Sequence, residues 1–442
     1  PYLISYLNEN HHKAAGIDPS YAGNISGGLD MKLGISKAFT LDAILVPDFG
    51  QVQADDQVLN LSPFEVFFNE NRQFFTEGIE LFSKGGLFYS RRIGGVPLRY
   101  GEVTGQLEPG ERIVSNPLTA NLLNATKVTG RTSSGTGIGF FNAIENESFA
   151  TIVNEEGEKR KFQTGPRTNY NLMVVDQNLP NAGYVTLTNT NVMREGGAYD
   201  VNVSGVKFQL RDKVQRYAVS GGLNYNLKRG LDLSQDGYSY TAGFAKIGGA
   251  FTYNLSYLEE SKDYDINDLG FLQIANRRRI TLSSSYRWFE PFGPFQSADI
   301  KFFTFFLMLQ KPSVYSEHFT KIEGSFLFRN QSSIGWEVFF EFLKSHDFYE
   351  PRTSDFSLYF LEPRNINVGM NWNSDFRKPL RYGFEFDYRK YFTPGRHRIQ
   401  FKSFVTYQVN NHFTASWNLN NYNGFLDVGF VNNYNDGVIL GN

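Results

Sequence analysis

The sequence predicts an all-β protein: a large antiparallel transmembrane β-barrel of about 18–20 or more strands, covering residues 1–442, with an inward-folded, plug-like segment at 48–100. Three observations predict it. Apolar and polar residues alternate with a period of two over segments of about ten residues, the length of a tilted membrane-crossing strand. Phe, Trp and Tyr make up 16% of the chain, with 42 Phe and 25 Tyr, more rings than a soluble core needs and what a lipid-facing band with two girdles uses. Short turns on one side are balanced by long polar connections on the other.

Near the start, Leu29, Met31, Leu33 and Ile35 alternate with Asp30, Lys32, Gly34 and Ser36, and Phe39, Leu41, Ala43 and Leu45 resume after Lys37-Ala38. Tyr217, Val219, Leu223, Tyr225 and Leu227 alternate with small or amide residues. Ile334, Trp336, Val338, Phe340 and Phe342 share one strand face, opposite Gly335, Glu337, Phe339 and Glu341. The clearest segment is 380–391: Tyr382, Phe384, Phe386 and Tyr388 point one way, and Gly383, Glu385, Asp387 and Arg389 the other. Phe413, Ala415, Trp417 and Leu419 alternate with Thr414, Ser416, Asn418 and Asn420. Turns are expected at Lys37-Ala38, Ser133-Ser134, Asn330-Gln331, Asn410-Asn411 and Asn423-Gly424. Longer connections are expected at 146–167, 228–237, 259–276 and 345–363. The stretch 48–100 breaks the rhythm and is too long for a turn, which is why it reads as folded into the lumen.

Composition excludes several classes. A soluble protein of 442 residues would divide into domains, whereas a barrel grows by adding strands. With 43 basic against 45 acidic residues the chain lacks the basic excess of a nucleic-acid binder. It has no Cys, which removes disulfides, thiol catalysis and Cys-based metal sites. No run of about eighteen apolar residues exists to make a membrane helix; the most apolar stretch, 302–309, is interrupted by Thr304. The mean hydropathy of -0.37 fits strands with one wet face. Residue 1 is Pro, so the chain is read as processed at its start, and 438–442 stop in mid-pattern, so further barrel is expected to follow.

Several blocks carry a resemblance. They are Pro47-Asp48-Phe49-Gly50-Gln51-Val52-Gln53-Ala54-Asp55, Phe67-Phe68-Asn69-Glu70-Asn71-Arg72-Gln73-Phe74-Phe75-Thr76-Glu77-Gly78 and Tyr89-Ser90-Arg91-Arg92-Ile93-Gly94. Lys127-Val128-Thr129-Gly130-Arg131-Thr132 with Gly137-Ile138-Gly139, and Asn267-Asp268-Leu269-Gly270-Phe271-Leu272, continue it. Together they resemble the DUF5916 family of Bacteroidota across the whole chain. Asn69 and Asn71 depart from it, standing where more acidic or basic residues belong. The resemblance implies an outer-membrane β-barrel, often preceded by a domain similar to family 9 carbohydrate-binding modules, which lies outside these residues. Some members are labelled membrane-associated hydrolases; the resemblance carries over no catalytic residue.

The candidate site is the charged cluster of the non-alternating segment: Asp48, Asp55, Asp56, Glu65, Glu70 and Glu77 with Arg72, Arg91 and Arg92. Two readings compete. Opposed charges in a lumen set a transverse field that selects solutes; alternatively, they are ion pairs fixing the plug to the wall, because charges taken from water need partners. No EF-hand spacing supports Ca²⁺, and neither metal nor cofactor is expected. Glu337 with Glu341, and Glu385 with Asp387, supply acidic pairs but read simply as lumen-facing. The six His residues form no metal motif and read as solvated. Gly135-Thr136-Gly137-Ile138-Gly139 lacks the Lys and helix of a phosphate loop and reads as a hairpin with Gly on one strand face. Arg277-Arg278-Arg279 suits either lipopolysaccharide at the rim or a solvated strand end.

The function expected is an occluded or gated channel or transport barrel of the bacterial outer membrane. The alternatives are a structural or accessory subunit of a larger outer-membrane complex, and an envelope carbohydrate-processing hydrolase. The expected partners are outer-membrane lipid, lipopolysaccharide and other outer-membrane proteins, without nucleic acid. An enzyme is not expected.

Overall fold

A computed structural model describes residues 2–10, 20–47, 57–434 and 437–441, with side chains at 27–47 and 57–432. Alternating sequence becomes strand almost throughout. β1 (Tyr2–Asn10), β2 (Ser20–Gly34) and β3 (Phe39–Leu45) precede a long insert. β4 (Leu122–Arg131), β5 (Thr136–Glu145), β6 (Thr168–Leu179), β7 (Gly183–Arg194), β8 (Asp200–Arg211), β9 (Tyr217–Arg229) and β10 (Ser234–Lys246) follow it. Then come β11 (Phe251–Glu260), β12 (Arg277–Trp288), β13 (Phe295–Leu309), β14 (Tyr315–Phe328) and β15 (Ser333–Glu341). β16 (Asn365–Asn373), β17 (Leu380–Tyr391), β18 (His397–Gln408) and β19 (Thr414–Phe425) complete the sheet. Eighteen of these, β2 to β19, form one antiparallel meander in chain order, and β1 pairs along β2 as a nineteenth.

The expected strand number is met, but the expected closure is not. Each strand pairs only with its sequence neighbours, so β1 and β19 are left as two edges and the described residues form an open sheet. The ladders nevertheless stagger. The row Gly139–Val174–Thr188–Gly205–Asn224–Ser239–Glu260 begins six residues before the end of β5 and arrives at the last residue of β11. A slip of one residue per strand tilts the strands, which is the geometry of a curling sheet.

The two ends of the sheet differ as expected. At one end lie short turns such as 132–135, 180–182, 212–216 and 329–332. At the other lie the insert at 46–121 and the connections 146–167, 261–276 and 342–364. Two expectations need correction. Asn423 and Gly424 make no turn: they pair with Ile399 and Arg398 inside β19, because ladder bonds outweigh the turn preference of Asn-Gly. The long connection expected at 228–237 shrinks to 230–233, the flanking polar residues being strand.

The face of the sheet that carries the insert is called inner here. On β5, Gly137, Gly139, Phe141, Ala143 and Glu145 are buried inward, while Ile138 and Phe140 point outward and are exposed. The insert supplies two short helices, α1 (Gln73–Thr76) and α2 (Glu80–Lys84), and two 3-10 turns, Ser90–Arg92 and Tyr100–Gln106. The main core lies between it and the wall: Phe75, Phe82, Leu87 and Ile93 pack with Phe141, Leu172, Val174, Val201, Val203 and Leu269. The end of the insert joins a three-stranded rim sheet (Arg112–Ser115, Ser148–Val153, Lys159–Gly165) with its own small core around Val103, Ala150 and Ile152.

Candidate functional site

The candidate site is the contact between the insert and the inner wall. The chain of the insert crosses successive strands, one or two residues at a time. Leu81 and Phe82 lie over Gly137 and Gly139 of β5, where a Cβ would stand 2.7 Å from each side chain. Lys84 reaches Asp176 of β6 at 2.8 Å. Gly85 meets Thr188 of β7 so closely that a Cβ would lie 2.3 Å from its hydroxyl. Leu87 then packs over Gly205 of β8. Glycines on the wall and in the insert make these approaches sterically allowed. They also explain the hairpin glycines of the sequence: Gly135 takes a positive φ in the turn, while Gly137 and Gly139 make room for α2.

Charged residues fix this path. Arg72 is nearly buried and makes a forked pair with Glu70, at 2.8 Å from Nε and 2.7 Å from Nη2. It also donates to the carbonyls of Ile93 (2.6 Å) and Ser90 (2.8 Å), and its guanidinium lies 4.2 Å from the Phe75 ring centre. Burial alone would raise the Glu70 carboxyl, but the Arg72 hydrogen bond and charge, with the Ser90 hydroxyl, hold it below the usual range. Arg92 forks onto Glu65 at 2.7 Å to both oxygens and donates to the Gly270 carbonyl at 3.0 Å. Glu77 takes the ammonium of Lys32 at 2.9 Å, and Lys127 caps the carbonyls of Phe74 and Glu77.

The connection 261–276 closes over the insert. Its Leu269 carbonyl accepts the Tyr89 amide at 2.7 Å. The Phe271 ring sits 5.1 Å from Phe67 and 5.2 Å from Tyr89. Asp268 is buried between Arg194 of β7 and Lys228 of β9, at 2.7 Å from each, and accepts the Tyr199 hydroxyl at 2.9 Å. Burial pushes the Asp268 carboxyl up, but the two cations outweigh it and hold it below the usual range. Arg194 and Lys228 also flank the Tyr199 ring at 4.6 and 5.3 Å.

The residues singled out in sequence divide among separate latches. Glu70 joins Arg72, Glu65 joins Arg92, and Glu77 joins Lys32. Arg91 lies half-buried on the same turn as Arg92. Asp48, Asp55 and Asp56 lie outside the described residues. Among the described residues, Glu70–Arg72 and Glu65–Arg92 are pairs within the insert, and Glu77–Lys32 joins the insert to the wall. Sequence reasoning missed the Asp268–Arg194–Lys228 cluster and the wall carboxylate Asp176, which holds Lys84, Arg131 and the Thr186 hydroxyl. The Arg277-Arg278-Arg279 triplet is engaged as well: Arg277 pairs with Glu260, and Arg278 with Glu259 at 2.9 Å.

The insert leaves the inner face of β11–β18 uncovered. Thr252, Asn254, Ser283 and Ser285 line a cavity of about 580 Å³ beside Phe303. An ion ladder runs on from it: Asp299–Lys301 (3.4 Å), Lys301–Glu323 (3.1 Å), Glu323–Lys321 (2.8 Å) and Lys321–Glu337 (2.8 Å). A second cavity of about 360 Å³ lies along it, bordered by Glu385 and Asp387. Among the described residues no three His, Asp or Glu side chains are placed to hold a metal ion, and no helix is long and apolar enough to cross a membrane.

The blocks singled out in sequence as 67–78, 89–94, 127–132, 137–139 and 267–272 therefore all meet at this one interface. No curated protein matches the chain. The family described as "Domain of unknown function (DUF5916)" matches residues 1–442, the whole chain, which therefore belongs to it.

Proposed function

We propose that this DUF5916 protein is a β-barrel of the bacterial outer membrane whose lumen is partly filled by its insert, and that it works as an occluded, gated passage for small polar solutes. The observation that carries the reading is the path of the insert along β5–β8, which covers the inner face there and leaves the hydroxyl- and ion-lined inner face of β11–β18 bare. Three further features support it. Outward rows such as Trp336–Met370–Phe386–Phe401 are wholly apolar, suited to hydrocarbon, while the inward neighbours are polar. The stagger of one residue per strand tilts the strands as a barrel requires. Long connections gather at one end and short turns at the other. In hydrocarbon every backbone group needs a partner, so the edges β1 and β19 are sealed in the membrane, by each other or by further strands.

The latches make the gate. Releasing Glu77–Lys32 and Lys84–Asp176, which join the insert to β2 and β6, in a Glu77→Gln, Lys84→Met double variant is expected to free the insert. In planar bilayers the wild type should be nearly silent and the variant should show frequent open events. A variant that is inserted and folded, yet as silent as wild type, would sink the gate. Recovery of the wild type in the soluble fraction would sink the membrane reading itself.

A further inference from the structure

At the short-turn end, the bare inner face holds a further cavity, unlike the two described above. Ser333, Asn373, Gly383 and Phe404 stand opposite one another in one inward row across β15–β18. One step nearer the turns, Arg381 pairs along the ladder with Thr406. Gly383 has no side chain; a Cβ there would lie 2.7 Å from the Asn373 amide oxygen and 2.8 Å from the Phe404 ring. The glycine thus lets Asn373 and Phe404 lean together. Both line a cavity of about 470 Å³, with Ser333, Arg381, Thr406 and Phe376 of the turn 374–379.

The charge in this cavity is one-sided. The 360 Å³ cavity is bordered by carboxylates, whereas the lining of this one has none and Arg381 is its single charged residue. Among the described residues Arg381 makes no ion pair and no side-chain hydrogen bond. The carboxylates on either side of it along the chain are already taken. Asp375 is forked onto Arg377 at 2.9 Å to both oxygens, and Glu385, one inward row deeper than Gly383, pairs with Lys402 at 2.7 Å. The turns at the mouth, 329–332 and 374–379, carry Arg329, Arg377 and Lys378 against Asp375 alone, a field that draws anions.

We propose that this cavity binds a small monocarboxylate with an apolar or aromatic body. A half-buried guanidinium calls for a partner, and its planar fork offers a carboxylate two parallel hydrogen bonds. One cation balances one negative charge. The Asn373 amide and the Ser333 and Thr406 hydroxyls add donors around it, and the Phe376 and Phe404 rings suit an apolar body. A neutral solute or a cation would leave Arg381 without a counter-charge. The site deepens the passage reading, on which it rests for its place at one mouth of the lumen; binding itself needs the cavity alone.

Benzoate is the probe, benzamide its neutral isostere, and titration by saturation-transfer NMR the measurement. Wild type should bind benzoate about tenfold or more tightly than benzamide, the margin of hydrogen bonds to a charged group. Arg381→Gln should erase that margin, with benzamide binding and the β-sheet circular dichroism unchanged. Lys213→Gln, on the separate turn 212–216, should match wild type. Equal binding of the two probes by wild type, or a margin that survives Arg381→Gln, would overturn the site. The titration uses the protein as recovered, in nanodiscs from membranes or in buffer from the soluble fraction. Absence of the margin in membrane-derived wild type strikes the site and leaves the passage reading standing. Recovery in the soluble fraction strikes the passage reading, and benzoate still decides the site.

Discussion

Single residues decide how closely the insert approaches the wall. Gly139 has no room for a side chain beneath the Phe82 ring. Gly139→Val should therefore destabilise the protein by about 1–3 kcal/mol through overpacking. Gly101→Ala, where nothing lies within 4 Å of the added atom, should leave stability unchanged. Urea unfolding of the two variants checks this, and equal midpoints would disprove the close contact. Asp268 works differently. Its removal leaves Arg194 and Lys228, each almost fully buried, without the carboxylate between them. Breaking such a pair costs about 3–5 kcal/mol, so Asp268→Asn should be the more damaging change. Sequence made Gly139 visible only as a hairpin glycine, because its partner lies 57 residues upstream in the insert. Asp268 was legible as part of a quoted block, but its partners on β7 and β9 were not, since no local pattern links residues so far apart in the chain.

At the scale of elements, the fold of the insert around Arg72 and of the connection over it depends on carboxylates whose folded forms are the charged ones. Glu70 and Asp268 both titrate below their ordinary range. Their contribution is therefore fully present above the unfolded values, about 4, and is lost as pH falls through the lower folded values. Relative to the intrinsic rate, hydrogen exchange of residues 70–94 should stay slow from neutral pH down to about 5 and quicken below about 3.5. Quickening that began near pH 6 would point to groups other than these. The connection 267–272 has its own role, because the Leu269 and Gly270 carbonyls accept hydrogen bonds from the insert and the Leu269 side chain shares its core. Phe271→Ala, which removes the ring packed on Phe67 and Tyr89, should loosen 65–70 and 89–93 in the same exchange measurement while leaving α2 protected. Loss of alternation set 48–100 apart from the strand rhythm, and of it residues 57–100 are described. Its true extent to 121, and the strands it lies on, were not legible, because a segment without periodicity has no face to assign.

For the molecule as a whole, period-two alternation was enough to reveal the strands and their two faces: Tyr382, Phe384, Phe386 and Tyr388 do share the outward face of β17. Closure was not legible, since alternation says which face a strand shows but nothing about the strand at the far edge. The two faces also predict how substitutions divide. Trp336→Lys places a charge in the middle of an apolar outward row and should cost about 2–4 kcal/mol in a bilayer. Ser283→Lys, on the bare inner face, should cost far less. Equal tolerance of both in liposome refolding would argue against hydrocarbon on the outside. The position of the insert has a consequence in time as well as in space. Among its described wall partners, Lys32 and Ile44 are made before it, while Phe141, Asp176, Thr188 and Leu269 all come later. Phe75, Phe82 and Phe88 must therefore wait, uncovered, until Phe141 is delivered 53 to 66 residues later, and the core is complete only with Leu269. A newborn chain in that state is sticky in proportion to its delay, so the protein's yield should depend on whichever escort keeps those rings apart from their neighbours.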